Sequence, residues 1–242
     1  MKRFSPLIFA LAVLGLWETA SHTVVDPYFL PPPTAIIARA VTSLPGIWPY
    51  VGWTLVGALL GAVLGAAIAI PLGYAVSKSA TVARIIEPYT AASQAIPAVA
   101  IAPILALWLG YGHPPIVALC AVMVFFPISL TTTYGLTHID PDVIDAARLD
   151  GAYGWSLLRT IEFPLALPAI LTGLRNGITL AMTGAVVGEF VIGGRGLGVL
   201  LTAQQRANDT VGLFATVLVL ALIAVALYSA VRAYEKRVKE RR

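Results

Sequence analysis

Charge is what this chain has least of: Asp, Glu, Lys and Arg make up 12% of its 242 residues, against 58% hydrophobic ones. The mean hydropathy is +0.85. No soluble single domain needs so much apolar surface, so the composition places the chain in the membrane class. Cysteine is almost absent. Cys120 is the only one and lies inside an apolar run, which excludes an internal disulfide or a cysteine metal cluster and leaves it a packing role. Histidine is nearly as scarce, and His22, His113 and His138 fall in separate loops without ligand spacing, so no metal is expected. No repeat of 20 to 50 residues is visible, and nothing marks a second, soluble unit. Residues 1–242 therefore read as one membrane domain, with a short leading segment (1–5), a core bundle at about 51–232 and a basic tail (233–242). A glycine-rich stretch, Gly193-Gly194-Arg195-Gly196-Leu197-Gly198, lacks the Gly-Lys-Ser/Thr ending and the preceding strand of a phosphate loop; it reads as a turn, and no cofactor is expected. Asn208-Asp209-Thr210 matches a glycosylation sequon, too short a pattern to carry weight.

What is present is long apolar runs. A helix needs about 20 apolar residues to cross the hydrocarbon core, and about six runs qualify: 6–20, 53–76, 96–109, 115–136, 167–192 and 211–228. The first follows Lys2 and Arg3 as a signal peptide would, but Glu18 and the poor cleavage site at 19–23 favour a retained helix. The third is short and carries Pro97 and Pro103, so a kink is expected. With both termini inside, thirteen of the sixteen Lys and Arg fall on the inner side, and only Arg39, Arg195 and Arg206 lie outside. The tail then reads as a stop-transfer and membrane-surface anchor rather than a nucleic-acid site.

Between the first two runs, Pro31-Pro32-Pro33 cannot be helical, and Thr34 is the expected N-cap of a short interfacial helix with Ile36, Ile37, Ala40, Val41 and Leu44 on one side. The second run carries Gly57, Gly61, Gly65, Ala69 and Gly73 at every fourth position. The fifth carries Gly173, Gly177, Ala181 and Ala185. Such stripes let backbones approach closely in lipid, which makes these two helices the candidates for the packed centre. Glu189, near the outer end of the fifth run, is an ionisable group at membrane depth, costly unless partnered. It is a candidate for shaping the outer mouth of a pathway, with Arg195 as its candidate partner; a glutamate facing water is the alternative. Glu18 invites the same two readings.

The polar insert before the fifth run carries the strongest signal. Asp140-Pro141-Asp142 has the form of a helix start: a cap, a proline at the first position, an acid in the first turn. Val143, Ile144 and Ala147 share a face, while Asp145, Arg148 and Asp150 spread over the rest. Gly151 supplies a left-handed stop. A second short helix follows with Trp155, Leu158 and Ile161 at helical spacing, which Pro164 is expected to end. The residues alone leave two readings open: a docking surface for a partner protein, or a hairpin lying on the membrane.

Asp145-Ala146-Ala147, then three residues, Gly151, nine residues, and Ile161-Glu162-Phe163-Pro164 resembles the EAA loop of permease subunits of binding-protein-dependent ABC importers. That pattern is Glu-Ala-Ala, three residues, Gly, nine residues, Ile, one residue, Leu-Pro. The chain departs from it at Asp145 and Phe163, keeping charge and apolar character. Pro31 to Pro33 after Trp17-Glu18, Gln94-Ala95-Ile96-Pro97, Phe125-Phe126-Pro127-Ile128, and Val187-Gly188-Glu189-Phe190 through Gly196-Leu197-Gly198 look like the nitrate, sulfonate and taurine branch, which also holds importers of thiamine-precursor pyrimidines and riboflavin.

The resemblance implies an all-α bundle of the type I importer permease kind, in a bacterial inner membrane with both termini cytoplasmic and without a catalytic site. In it Asp145, Ala146, Ala147, Gly151, Ile161, Phe163 and Pro164 would form the coupling helix that enters a groove of a separate ATPase. It also implies a second permease copy, two ATPase subunits and an extracytoplasmic binding protein that delivers a small solute. The rival, an ion-gradient-driven secondary transporter, would want acidic residues deep in the spans or broken helices in two inverted halves, and the spans read as almost free of charge.

Overall fold

The computed structural model describes residues 5–93 and 96–240; Lys2, Arg3, Gln94 and Ala95, named above, and the last two residues of the basic tail lie outside them. Within the described residues every regular element is a helix: α1 (Ser5–Thr23), α2 (Pro33–Lys78), α3 (Ala80–Ser93), α4 (Ala98–Leu109), α5 (His113–Thr137), α6 (Pro141–Leu149), α7 (Gly154–Leu157), a π turn (Leu158–Glu162), α8 (Phe163–Ile192), α9 (Leu197–Arg206) and α10 (Thr210–Glu240). Four stretches are long and apolar enough to cross a membrane, namely α2, α5, the run Gly154–Ile192 and α10. The other two expected crossings correspond to α1, of 19 residues, and α4, of 12. At ~1.5 Å per residue α4 reaches about 18 Å, short of a ~30 Å hydrocarbon core. It lies against α5 and α8 instead of standing alone.

The expected interfacial helix and second span are one helix. α2 runs for 46 residues through Pro45, Pro49 and Pro71, about 70 Å at the usual rise and over twice the thickness of the core. A proline inside a helix deletes one hydrogen bond and bends the axis without having to end it. The packed part of α2 reaches back to Ile36 and Ala40, which are buried with Ile47, Val51, Leu197, Ala215 and Val219; Ile37 and Val41 face outward. Thr34 is not the N-cap. Pro32 takes that position with extended backbone and no side-chain bond. The cap comes from α1: Thr34 donates to Glu18 from its backbone N–H (3.1 Å) and its hydroxyl (2.6 Å). A carboxylate there satisfies a free N–H and meets the positive end of the helix. Trp17 Nε1 donates to Pro31 O (3.1 Å), fixing the polyproline turn beside it.

The two small-residue stripes do not meet each other. Both lie against α5, the central helix, whose Ile116, Leu119, Cys120, Val124 and Ile128 are wholly buried. A Cβ on Gly61 would run into Cys120 Cβ, on Gly65 it would stand 2.6 Å from Ala121 O, and on Gly73 2.8 Å from Thr132 Cβ. From the other side, a Cβ on Gly173 would strike Thr131 Oγ1, and one on Gly177 would sit 3.0 Å from Val124 Cγ1. Gly57, at the far end, has ordinary clearance of 3.5 Å from Ile116 Cγ2. The centre is thus a three-helix sandwich, α2–α5–α8, in which missing side chains let backbone approach backbone.

The spans are not free of charge. Arg175, within α8, pairs with Glu235 of α10 at 2.8 Å and lies over the Tyr228 ring at 5.2 Å, and Glu189 is fully buried.

Candidate functional site

The insert folds as its local chemistry requires. Asp140 accepts from Asp142 N at 3.0 Å, Pro141 opens α6, and Arg148 sits in the last turn. Its end is a Schellman turn: Gly151 N bonds Arg148 O (3.0 Å), and Ala152 N bonds Ala147 O (2.9 Å). Gly151 has φ +87°, in the left-handed region, with no atom near its Cβ position. Asp145 and Ala146 are exposed and Ala147 is buried. The Asp145–Arg148 pair (3.1 Å) is open to solvent on both sides and adds little.

Tyr153 is extended, Gly154 turns left-handed (φ +53°), and the chain enters α7. Pro164 does not end the second helix. The backbone passes through α7 and the π turn into α8, with Pro164 in the first turn of α8. The π turn explains this: Phe163 N already reaches back to Leu158 O, so the ladder is re-phased just before the proline and its missing N–H costs no α-register bond. Ile161 is half-buried and Phe163 40% exposed.

α6 rests mainly on the π turn and otherwise stands clear of the bundle. Three large apolar side chains at the hairpin have no cover: Leu149 (90% exposed), Trp155 (73%) and Tyr153 (65%). Behind it, a cavity of about 500 Å³ separates the α7–π segment from the ends of α2 and α5, lined by Ile70, Tyr74, Leu136, Trp155, Leu158 and Phe163. Among the described residues, one polar contact bridges that gap. Lys78, the last residue of α2, pairs through Nζ with Oε1 of Glu162, which is 2% exposed.

At the opposite end of the sandwich Glu189 neither faces water nor pairs with Arg195. It is fully buried; Oε2 accepts from Thr54 Oγ1 (3.0 Å) and Gly198 N (2.8 Å), while Thr54 Oγ1 accepts from Leu197 N (2.8 Å). Oε1 has no partner. The carboxylate is the cap of α9, held on α2 through Thr54. Gly196 (φ +148°) and Gly198 leave room for it, since a Cβ on either would collide with Glu189. Arg195 is exposed and its guanidinium lies over Trp53, 5.5 Å from the ring centroid. The turn after α9 is tied to the start of α2 by Arg39 on Asp209 (2.9 Å) and by Tyr28 OH on Asn208 Oδ1 (2.9 Å). The three histidines remain apart, His22 near Glu18, His113 beside Trp53 and His138 on Tyr134.

Thr54, Lys78, Glu162 and the Arg175–Glu235 pair are absent from the sequence-based set. Glu162 occupies the position that the loop pattern leaves open, and its partner lies 84 residues away.

Residues 61–240 match the family described as binding-protein-dependent transport system inner membrane component. The chain belongs to that family. It is similar over nearly its whole length to the formylaminopyrimidine transport permease protein ThiX of Halalkalibacterium halodurans, at 32% identity across 97% of this chain and 96% of that protein. The taurine transport system permease protein TauC of Escherichia coli is 28% identical over 91% and 83%. The riboflavin transport system permease protein RibX of Chloroflexus aurantiacus is 46% identical over 143 residues, 59% of this chain and 53% of that protein. Among solved structures, a chain of the inward-facing MetNI methionine ABC transporter superposes with TM-score 0.69 at 19% identity, covering 80% of this permease and 98% of that chain, and so shares the fold. The protein is an ABC transport permease with the helical membrane architecture of that class, which sets aside an ion-driven carrier.

Proposed function

We propose that two copies of this permease line the path of an ATP-driven importer in a bacterial inner membrane, with both termini cytoplasmic. Each copy takes one ATPase subunit on its Pro141–Pro164 hairpin, and a binding protein delivers solute at the opposite end. Hydrolysis belongs to the ATPase; the permease converts its closure into a change between two packed arrangements of the bundle. The solute is a small sulfonate of the taurine kind or a heterocycle of the thiamine-precursor or riboflavin kind. The observation that carries this reading is the hairpin itself. An element capped at both ends, standing off the bundle with Leu149, Tyr153 and Trp155 uncovered, has the form of a preorganised plug for another protein's cleft. Asp145 and Ala146 would face that cleft, small at the contact and acidic at its rim, while buried Ala147 packs on the inner side of α6 and Ile161, Phe163 and Pro164 root the hairpin in α8.

The test is reconstitution with the cognate ATPase and binding protein in vesicles, with taurine, formylaminopyrimidine and riboflavin as probes. Uptake of one of them that needs both ATP and the ATPase is expected. Uptake by the permease alone would overturn the reading.

A further inference from the structure

The coupling hairpin has little bundle to push against. Behind α7 and the π turn lies the cavity of about 500 Å³, and a gap transmits no displacement, whereas close-packed side chains do. The covalent route from hairpin into α8 passes through the π turn, an interrupted register that can absorb movement by reverting toward α. Among the described residues, one polar contact spans the gap. Glu162, fixed in the π turn and nearly inaccessible, holds Lys78 at the end of α2. Lys78 also lies over the Tyr74 ring at 5.7 Å, so its reach is restrained on the α2 side. At Ser79 the backbone leaves the helix (φ −136°, ψ 111°), which makes Lys78 the terminus of a helical lever rather than a mid-helix residue. That lever runs against α5 through its glycine stripe and reaches Thr54 and the Glu189 cap of α9 at the other end.

We infer that Lys78 and Glu162 form a charged strut through which displacement of the hairpin reaches α2, both acting as positioning residues for the transport cycle. The inference rests on the hairpin being the ATPase contact. An ion pair suits the task because separating Lys78 from a carboxylate as buried as Glu162 would strand that charge, so the contact holds while the apolar surroundings slide.

The experiment uses the full permease reconstituted with its ATPase, with ATP and vanadate as the probe. Spin labels are placed in separate samples at Leu149→Cys on the hairpin and at Val63→Cys on the open face of α2; Cys120 is wholly buried and gives little background. Trapping is expected to change the spectrum at both sites in the parent protein. With Glu162→Gln or Lys78→Met the Leu149 response should persist and the Val63 response should fall at least fivefold. The exchanged pair Lys78→Glu with Glu162→Lys should restore more than half of it, which shows that the two side chains act as a pair, while the persisting Leu149 response separates a lost strut from a lost fold. A Val63 response unchanged in the single variants, or an exchanged pair no better than they are, overturns the strut. If the Leu149 label in the parent ignores ATP and vanadate, the docking reading itself falls and the strut with it.

Discussion

At the scale of single residues, Glu189 shows both what sequence yields and where it stops. A carboxylate within an apolar run is conspicuous from composition alone, and the expectation that it needs a partner follows from the cost of burial. Arg195, six residues on, is the nearest cation in sequence, yet it turns outward over Trp53. The actual partner, Thr54, is 135 residues distant and an unremarkable hydroxyl by sequence. It accepts from Leu197 N while donating to Glu189, so one side chain closes two bonds. Thr54→Val keeps shape and removes both, leaving a buried N–H and a buried carboxylate oxygen short of partners, at a cost of about 1–3 kcal/mol each way a group is stranded. Thermal unfolding of the detergent-solubilised permease should show a clear loss for Thr54→Val. Glu189→Gln should fall much less, because its amide oxygen can still accept from Thr54 and Gly198 and its NH2 would take the place of the unpartnered Oε1. Equal losses for the two variants would contradict a capping role.

At the scale of elements, the hairpin was readable because its signals are local. A cap at Asp140, a proline at the first position and a glycine at the end act within a few residues, and the backbone has all three. The π turn was not readable, because it reflects the fit of α7 and α8 against the bundle, and Pro164 looked like a terminator for want of it. α9 was missed for a similar reason: it is short, and it is held by α8, α10 and α2 rather than by its own pattern. Two predictions separate the parts. Gly151→Trp forces φ +87° on a side-chain-bearing residue, a strain of roughly 1–2 kcal/mol, in open space where nothing in the bundle is disturbed. Co-purification of the ATPase should drop at least tenfold with the permease still folded and monodisperse. Deleting Thr160 removes the extra residue of the π turn and rotates everything before it by about 100° against α8. ATPase binding should be lost again and the spin-label response at Val63→Cys should vanish with it, although Glu162 follows the deletion and keeps its register with α8 and its contact with Lys78.

At the scale of the whole molecule, the membrane class, the helical fold and the stripes of small residues were legible because bilayer burial imposes them on every span at once. Which helix lies at the centre was not. A stripe says that something comes close without saying what, and α5, which receives both stripes, carries none of comparable length. The two ends of the bundle differ in charge, and the difference predicts an orientation. One gathers Lys78, Arg148, Arg159 and the basic stretch of α10; the other gathers Arg39, Arg195 and Arg206, with Asp209 against Arg39. Positive charge stays on the cytoplasmic side during insertion, so the first end should face the cytoplasm. Single cysteines at Leu149 and Arg206, both exposed and far apart along the bundle, decide this against a buried Cys120 that stays silent. In intact cells a membrane-impermeant maleimide should label Arg206→Cys and leave Leu149→Cys untouched until the membrane is opened. The reverse pattern would put the hairpin on the side away from ATP, where no ATPase could reach it, and would remove the basis for coupling through Lys78 and Glu162 as well.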